Sequence, residues 1–237
     1  MAIDTRQEID KALANGNRIF NDASILFKNN SWRSCAEKDI IAYEEFNKAL
    51  KIARYYYRKQ PFGTSDLRHL TDGHSHRQKV LLHANSFGNM LKDDSPWMYN
   101  NKKNLARRVG LTFPELPREE ATMIHDDTTR YFARFHDLRK ALQYSSSSDD
   151  KFDDASLRAL CGYLYYEVPI PYHETRFNLF LFDNGIMWQH GLTSAHETMI
   201  RENPDRIALG ILNLRHRTPA FIQNYRTTRR LIDSLFQ

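Results

Sequence analysis

Long apolar runs are missing from this chain: nothing approaches the ~18 or more consecutive apolar residues that a membrane-crossing helix requires, so no transmembrane span and no membrane partner are expected. Cysteine is scarce, with only Cys35 and Cys161 in 237 residues. Both sit among apolar residues at helical spacing, which leaves reduced core thiols as the expectation and removes disulfide and cysteine–zinc readings. Glycine is sparse as well, and no glycine-rich run has the form of a phosphate-cradling loop. Gly73-His74-Ser75 is no nucleophile elbow, so nucleotide-dependent and serine-hydrolase chemistries fit poorly. His69, His74 and His76 lie close together, yet neither a His-x3-His pair on a helix nor a metalloprotease glutamate accompanies them. No metal and no other cofactor is expected. Residues 1–10 lack the apolar segment of a secretory signal and begin directly in an amphipathic pattern, which gives a cytoplasmic protein as the expectation.

What is present is a mildly basic, helix-patterned globular chain. The net charge is +5, carried by 22 arginines against 12 lysines, and the excess makes an acidic partner such as RNA a candidate. The charge is scattered rather than gathered in one block. The length suffices for a real core, as one domain or a domain with an elaboration.

Two helical patterns dominate residues 9–57. Ile9, Leu13, Gly16, Phe20, Ala23 and Phe27 recur in steps of three and four, as do Trp32, Cys35, Asp39, Ala42, Phe46, Ala49, Ala53 and Tyr57. The polar break Asn29-Asn30-Ser31 between them predicts a helical hairpin. On a wheel of about 100° per residue, Glu44 and Lys48 project away from the apolar arc and read as a solvated pair, whereas Glu45 is flanked by Ile41, Ala49 and Ile52. Asp39 falls inside the apolar stripe. A carboxylate in such a place needs a partner, because an unpaired buried charge costs several kcal/mol.

Residues 61–73 are dense in turn formers and predict a loop. A third helix follows from His76, with Val80, His83, Phe87 and Met90 on one stripe. Residues 92–117, broken by three prolines, predict an excursion with one basic helix near 101–109, where Lys102, Lys103, Arg107 and Arg108 lie close to Trp97 and Tyr99. Such a segment could grip phosphates and stack bases, or form a solvated surface helix. A fourth helix is predicted over residues 119–142, with the stripe Ile124, Thr128, Tyr131, Phe135, Leu138 and Leu142. The serine- and aspartate-rich run 145–154 reads as a boundary, and Asp154 as the cap of a helix through Tyr165. Residues 177–185 suit either a hairpin strand or a buried helix interrupted at Gly185. Ser194-Ala-His-Glu197 has the form of a capping box, Pro204 opens a helix to Arg217, and Pro219 opens the last, with Phe221, Tyr225, Ile232 and Leu235 on one face.

Three motifs in order, Glu44-Glu45-x-x-Lys48 closing the two-helix segment from Ala12, His76-Arg77-Gln78-Lys79, and Leu138-Arg139-Lys140-Ala141-Leu142-Gln143-Tyr144, resemble the AbiV abortive infection family of the HEPN superfamily over residues 10–146. The resemblance implies a mainly α fold, an antiparallel HEPN-like bundle over residues 1–145; residues 146–237 lie beyond it, and their own spacing predicts a mostly helical elaboration packed on the bundle. It also implies phage defence, an RNA or ribosome-associated target, a phage protein as trigger, and pairing into a homodimer through helical faces.

The nuclease motif of that superfamily is an arginine followed after four to six residues by a histidine, the one to stabilise phosphorane-like charge and the other to exchange the 2′-hydroxyl proton. Four such pairs occur here, Arg68/His74, Arg77/His83, Arg118/His125 and Arg130/His136, where random placement gives roughly three. At the position the resemblance points to, Arg139 is followed by Tyr144 in place of histidine. Glu45, His76, Arg139 and Tyr144 form either a candidate polar site, with Glu45 holding Lys79 or Arg139, or equally a structural network that fixes helix register. Lys48, Lys79, Lys102, Lys103, Arg107 and Arg108 are the candidate contacts to RNA or another partner. A tyrosine with a pKa near 10 is a poor general base at neutral pH. The expectation is a non-enzymatic effector that blocks translation or another host process; the alternative is a metal-independent endoribonuclease.

Overall fold

A computed structural model describes residues 3–57, 59–71, 130–131, 134–144, 152–183 and 219–236. Every regular element among them is an α-helix: α1 (Thr5–Lys28), α2 (Trp32–Tyr57), α3 (Thr64–Thr71), α4 (Phe135–Tyr144), α5 (Asp154–Glu167), α6 (Ile170–Asp183) and α7 (Pro219–Leu235). The third helix expected from His76, the basic segment 101–109, the capping box at 194–197 and the helix from Pro204 lie outside the described residues.

The predicted hairpin of α1 and α2 forms, and its turn follows from the residues in it. Asp4 caps α1 by accepting from the Gln7 amide at 3.1 Å. At the other end Asn30 adopts φ 58°, a left-handed conformation that asparagine tolerates better than most residues. That reversal lets the Ser31 amide return to the Leu26 carbonyl at 2.9 Å, while the Ser31 carbonyl accepts from Cys35 at 2.9 Å and starts α2. Phe27 and Trp32 meet edge to face across the turn, with centroids 4.9 Å apart.

The two helices approach closely where Gly16 faces Phe46: a Cβ built on Gly16 would lie 2.5 Å from the Phe46 ring and 3.3 Å from the Ala42 carbonyl oxygen. A methyl group there must displace a buried ring. Overpacking of this kind costs about 1–3 kcal/mol, while the gain in helix propensity over glycine returns at most about 1 kcal/mol. Gly16→Ala is therefore expected to lower stability by about 1 kcal/mol, read by chemical denaturation. A more stable variant would show that the ring moves aside freely.

Helix α2 is enclosed by α1, α4, α5 and α6. Its buried residues accordingly include polar ones, Asp39, Glu44, Asn47 and Lys51, as well as the apolar stripe. The core is one cluster running from Ile9 on α1 to Ile232 on α7, so the helices beyond residue 146 share it with the hairpin. Phe46 packs on Tyr172 of α6 at 5.1 Å, and Phe20 stacks on Tyr165 of α5 at 6.0 Å.

Two expectations change and an open one is decided. Part of the turn-dense run 61–73 is helix α3, started by Gly63, whose carbonyl accepts from Leu67 at 3.1 Å and whose amide donates to Asp66 at 2.8 Å; Leu67 and Leu70 pack on the core. Asp153 rather than Asp154 caps α5, accepting from the Ser156 amide at 2.6 Å. The ambiguous 177–183 segment is helical, as the second half of α6. Within the predicted fourth helix, Arg134 lies in a turn and α4 begins at Phe135. Of the expected stripe, Tyr131, Phe135, Leu138 and Leu142 are all buried, and Ile124 and Thr128 lie outside the described residues. No helix among the described residues is long and apolar enough to cross a membrane.

Candidate functional site

Arg139 stands on α4 one residue beyond Leu138, at the margin of the stripe that packs onto α2. Tyr43 meets Phe135 edge to face at 5.4 Å, which fixes α4 over the α2 face that carries Ile40, Tyr43, Glu44 and Asn47. At the other end of the contact the Arg33 guanidinium donates to the Leu142 carbonyl at 3.1 Å. Between these two fastenings the Arg139 Nη1 donates to both carboxylate oxygens of Glu44, at 3.4 and 3.3 Å.

This pair is interior. The Glu44 side chain is 2% exposed and that of Arg139 12%. Arg139 Nε is also buried, and it meets no acceptor among the described residues. Glu37, seven residues before Glu44 and so on nearly the same side of α2, has its carboxyl raised above the ordinary range by burial; Arg33, Arg139 and Lys38 pull it back. The local chemistry is thus two carboxylates of α2 facing arginines of α2 and α4.

The glutamate that holds Arg139 is Glu44 rather than the expected Glu45. Glu44 is not a solvated partner of Lys48; Lys48 lies 3.8 Å from Glu45, one turn back on the same helix, and it is Glu44 that holds Arg139. The wheel misled because the less covered stripe of α2 runs through Lys38, Ile41, Glu45 and Lys48 and leaves Glu44 under α4. A usable signal was present on α4, where Phe135, Leu138, Arg139 and Leu142 share one face, so that an arginine on a packed stripe demanded a buried carboxylate opposite it. Tyr144 is 83% exposed, five residues and about 140° round the helix from Arg139. His76, Lys79, Lys102, Lys103, Arg107 and Arg108 lie outside the described residues. Of the loose arginine–histidine pairs, Arg130 is engaged by Asp233 at 3.2 Å.

A family model described as AbiV, of the HEPN group, matches residues 5–149, more than half of the chain. The protein belongs to the AbiV family. No curated protein and no solved structure matches it. The AbiV match takes in α1 to α4 and with them both partners of the Glu44–Arg139 pair, while α5, α6 and α7 lie beyond it. Membership suggests a part in abortive infection, the defence of bacteria against phage. Among the described residues no group of three histidine, cysteine, aspartate or glutamate side chains is placed to hold a metal ion.

Proposed function

We propose that this AbiV protein acts in phage defence as a non-enzymatic effector that binds a component of translation, or of another host process, and blocks it by contact. The state of Arg139 carries the reading. A ribonuclease of the arginine–histidine kind needs its guanidinium at the scissile phosphate, within reach of a group that exchanges a proton near neutral pH. Here the guanidinium is turned onto Glu44 and mostly covered. The residue at the expected histidine position is a tyrosine that points to solvent on another side of α4.

The Glu44–Arg139 pair then serves as the clasp that sets α4 on α2, and the surfaces around it meet the partner. An RNA or ribosome-associated target and a phage protein trigger are part of the proposal. So is a homodimer through helical faces, which would bring two copies of the site near a twofold axis. Light scattering at micromolar concentration is expected to give twice the 28.0 kDa chain mass; a monomer there removes the dimer.

Inducible expression in a bacterial host, with total RNA and translation followed in time, tests the main reading. Translation arrest with intact RNA is the expected result. Fragmented RNA that precedes the arrest would replace the effector with a metal-independent endoribonuclease.

A further inference from the structure

Helices α1 and α6 both rest on α2, and a groove of about 370 Å³ runs between them. That volume lies within the range of about 300–1,000 Å³ typical of small-molecule sites. One wall is a stripe of α1, Arg6, Asp10, Leu13, Ala14 and Asn17; the other is a stripe of α6 with the same spacing, Tyr172, Arg176, Leu179, Phe180 and Asp183. The walls run antiparallel. Arg6 Nη1 donates to Asp183 at 2.8 Å at one end, while Gly16 and Tyr172 both adjoin the Phe46 ring at the other.

The groove is dipolar along its length. At the Arg6 end Asp183 is fully used, since Oδ2 accepts from Arg6 and Oδ1 from the Tyr56 hydroxyl at 3.2 Å. Asp10 is only half used: Oδ2 accepts from Arg6 Nε at 3.4 Å, and Oδ1 meets no donor among the described residues. Two carboxylates on one guanidinium leave this end with one negative charge. Arg176 supplies the opposite charge. Its Nη1 donates to the Tyr172 hydroxyl at 2.9 Å, its guanidinium lies 5.7 Å from the Tyr172 ring, and it has no carboxylate partner among the described residues. Between the two charges the lining is apolar, with Leu13, Leu179 and Phe180 buried and the Ala14 methyl at the rim. A simple anion would meet Asp10 as well as Arg176, and a simple cation the reverse, so the lining selects a molecule that carries both charges on an apolar body.

We propose that the α1–α6 groove binds a short apolar peptide with free termini, its ammonium at Asp10 and its carboxylate at Arg176. The register set by Arg6 and Asp183 offsets Asp10 and Arg176 by about one turn on opposite walls, a charge separation on the order of 10 Å. Three residues of extended chain span about that distance, and a free amino acid does not. Asn17, on the wall facing Tyr172, offers an amide to the peptide backbone. Neither Glu44 nor Arg139 lines the groove, and α6 lies beyond the AbiV match, so the site stands whether the protein proves to be a blocking effector or a nuclease.

Isothermal titration calorimetry of the full chain with alanyl-leucyl-alanine tests it, and one saturable site is expected. N-acetylation or C-amidation of the peptide should each weaken binding by about tenfold, the loss of one charge-assisted contact. Arg176→Gln is expected to weaken the free peptide by a similar factor and to change the C-amidated one little, because the two alterations remove the same contact. Asp10→Asn should behave likewise with the N-acetylated peptide. Ala14→Phe, which fills the apolar middle of the groove without touching either charge, should abolish binding. Arg18→Ala, outside the groove, should leave it unchanged. Asp10, Ala14 and Arg176 are all exposed, so the variants should keep the wild-type melting temperature, which separates lost binding from lost fold. Absence of saturable heat at millimolar peptide would overturn the proposal. So would a doubly capped peptide that binds as tightly as the free one, or binding that survives Ala14→Phe.

Discussion

Glu44→Gln is expected to destabilise the protein by about 3 kcal/mol, the low end of the range for removing one member of a buried ion pair, because the Glu37 carboxylate still attracts the Arg139 guanidinium. Arg139 would be left 12% exposed, with an amide in place of the carboxylate that accepts from its Nη1 and with an Nε that already meets no acceptor among the described residues. Chemical denaturation of the purified variant measures the effect. Arg139→Gln should also lower stability, by removing the guanidinium that donates to both Glu44 oxygens. Replacing both with methionine should restore most of the stability, since a packed apolar pair of similar volume avoids the desolvation that the ions suffer. Glu45→Gln is the comparison: its contact with Lys48 is longer, at 3.8 Å, and both side chains keep more exposure than Glu44, so a smaller loss is expected. If Glu44→Gln and Glu45→Gln were equally mild, the Glu44–Arg139 pair would not be what fastens α4 to α2. If Arg139→Gln kept the fold but abolished phage protection, the arginine would have a use beyond packing.

The contrast between Glu44 and Glu45 also marks how far the sequence could be read. The α1–α2 hairpin was legible because both helices repeat their apolar residues in steps of three and four and because Asn29-Asn30-Ser31 supplies a left-handed asparagine and a carbonyl to start α2. Local chemistry settled all of that. Glu44 was not legible from α2 alone, since a wheel assumes one apolar side and one wet side, and α2 is covered by four other helices. The arginine that meets Glu44 comes from about ninety-five positions later in the chain. One other departure has a local cause. Gly63, Ser65 and Asp66 are turn formers that here begin a helix, with Leu67 and Leu70 packing on the core to hold it. The apolar run at 177–182 has a length that fits strand or helix equally, and only packing against α2 decides for the helix. At the site, Arg139 meets Glu44 in place of the expected Glu45, Lys48 lies beside Glu45, Tyr144 is exposed, and His76 and the lysines and arginines of 79–108 lie outside the described residues.

Asp39 does lie in the apolar stripe, as its spacing implied, and it provides the second large expected effect. It is 3% exposed, and burial pushes its carboxyl well above the ordinary aspartate value of 3.8, with the Cys35 thiol 3.6 Å away adding to the shift. No cation among the described residues offsets that shift. The Cys35 thiol is itself pushed up by its hydrogen bond with Cys161 and by burial, and Cys161 donates to the Trp32 carbonyl at 3.0 Å. The folded protein therefore keeps the Asp39 proton over a range where the unfolded chain gives it up. The stabilising contribution of that proton is fully present below about pH 3.8 and is lost progressively as pH rises toward the higher folded value. Over this window wild-type stability should fall, relative to a variant with no titrating group at position 39, by up to about 1.4 kcal/mol for each pH unit. Asp39→Asn keeps an oxygen to accept from Cys35 and removes the titration. Denaturant midpoints of wild type and Asp39→Asn, measured side by side from about pH 4 to 7, should accordingly diverge in favour of asparagine as pH rises. Cys35→Ala in the wild-type background separates the causes: because burial outweighs the thiol, most of the pH dependence should survive removal of the sulfur. A difference between wild type and Asp39→Asn that stays constant over the whole range would mean that Asp39 ionises normally in the folded protein, and that the enclosure of α2 leaves water or a cation beside it.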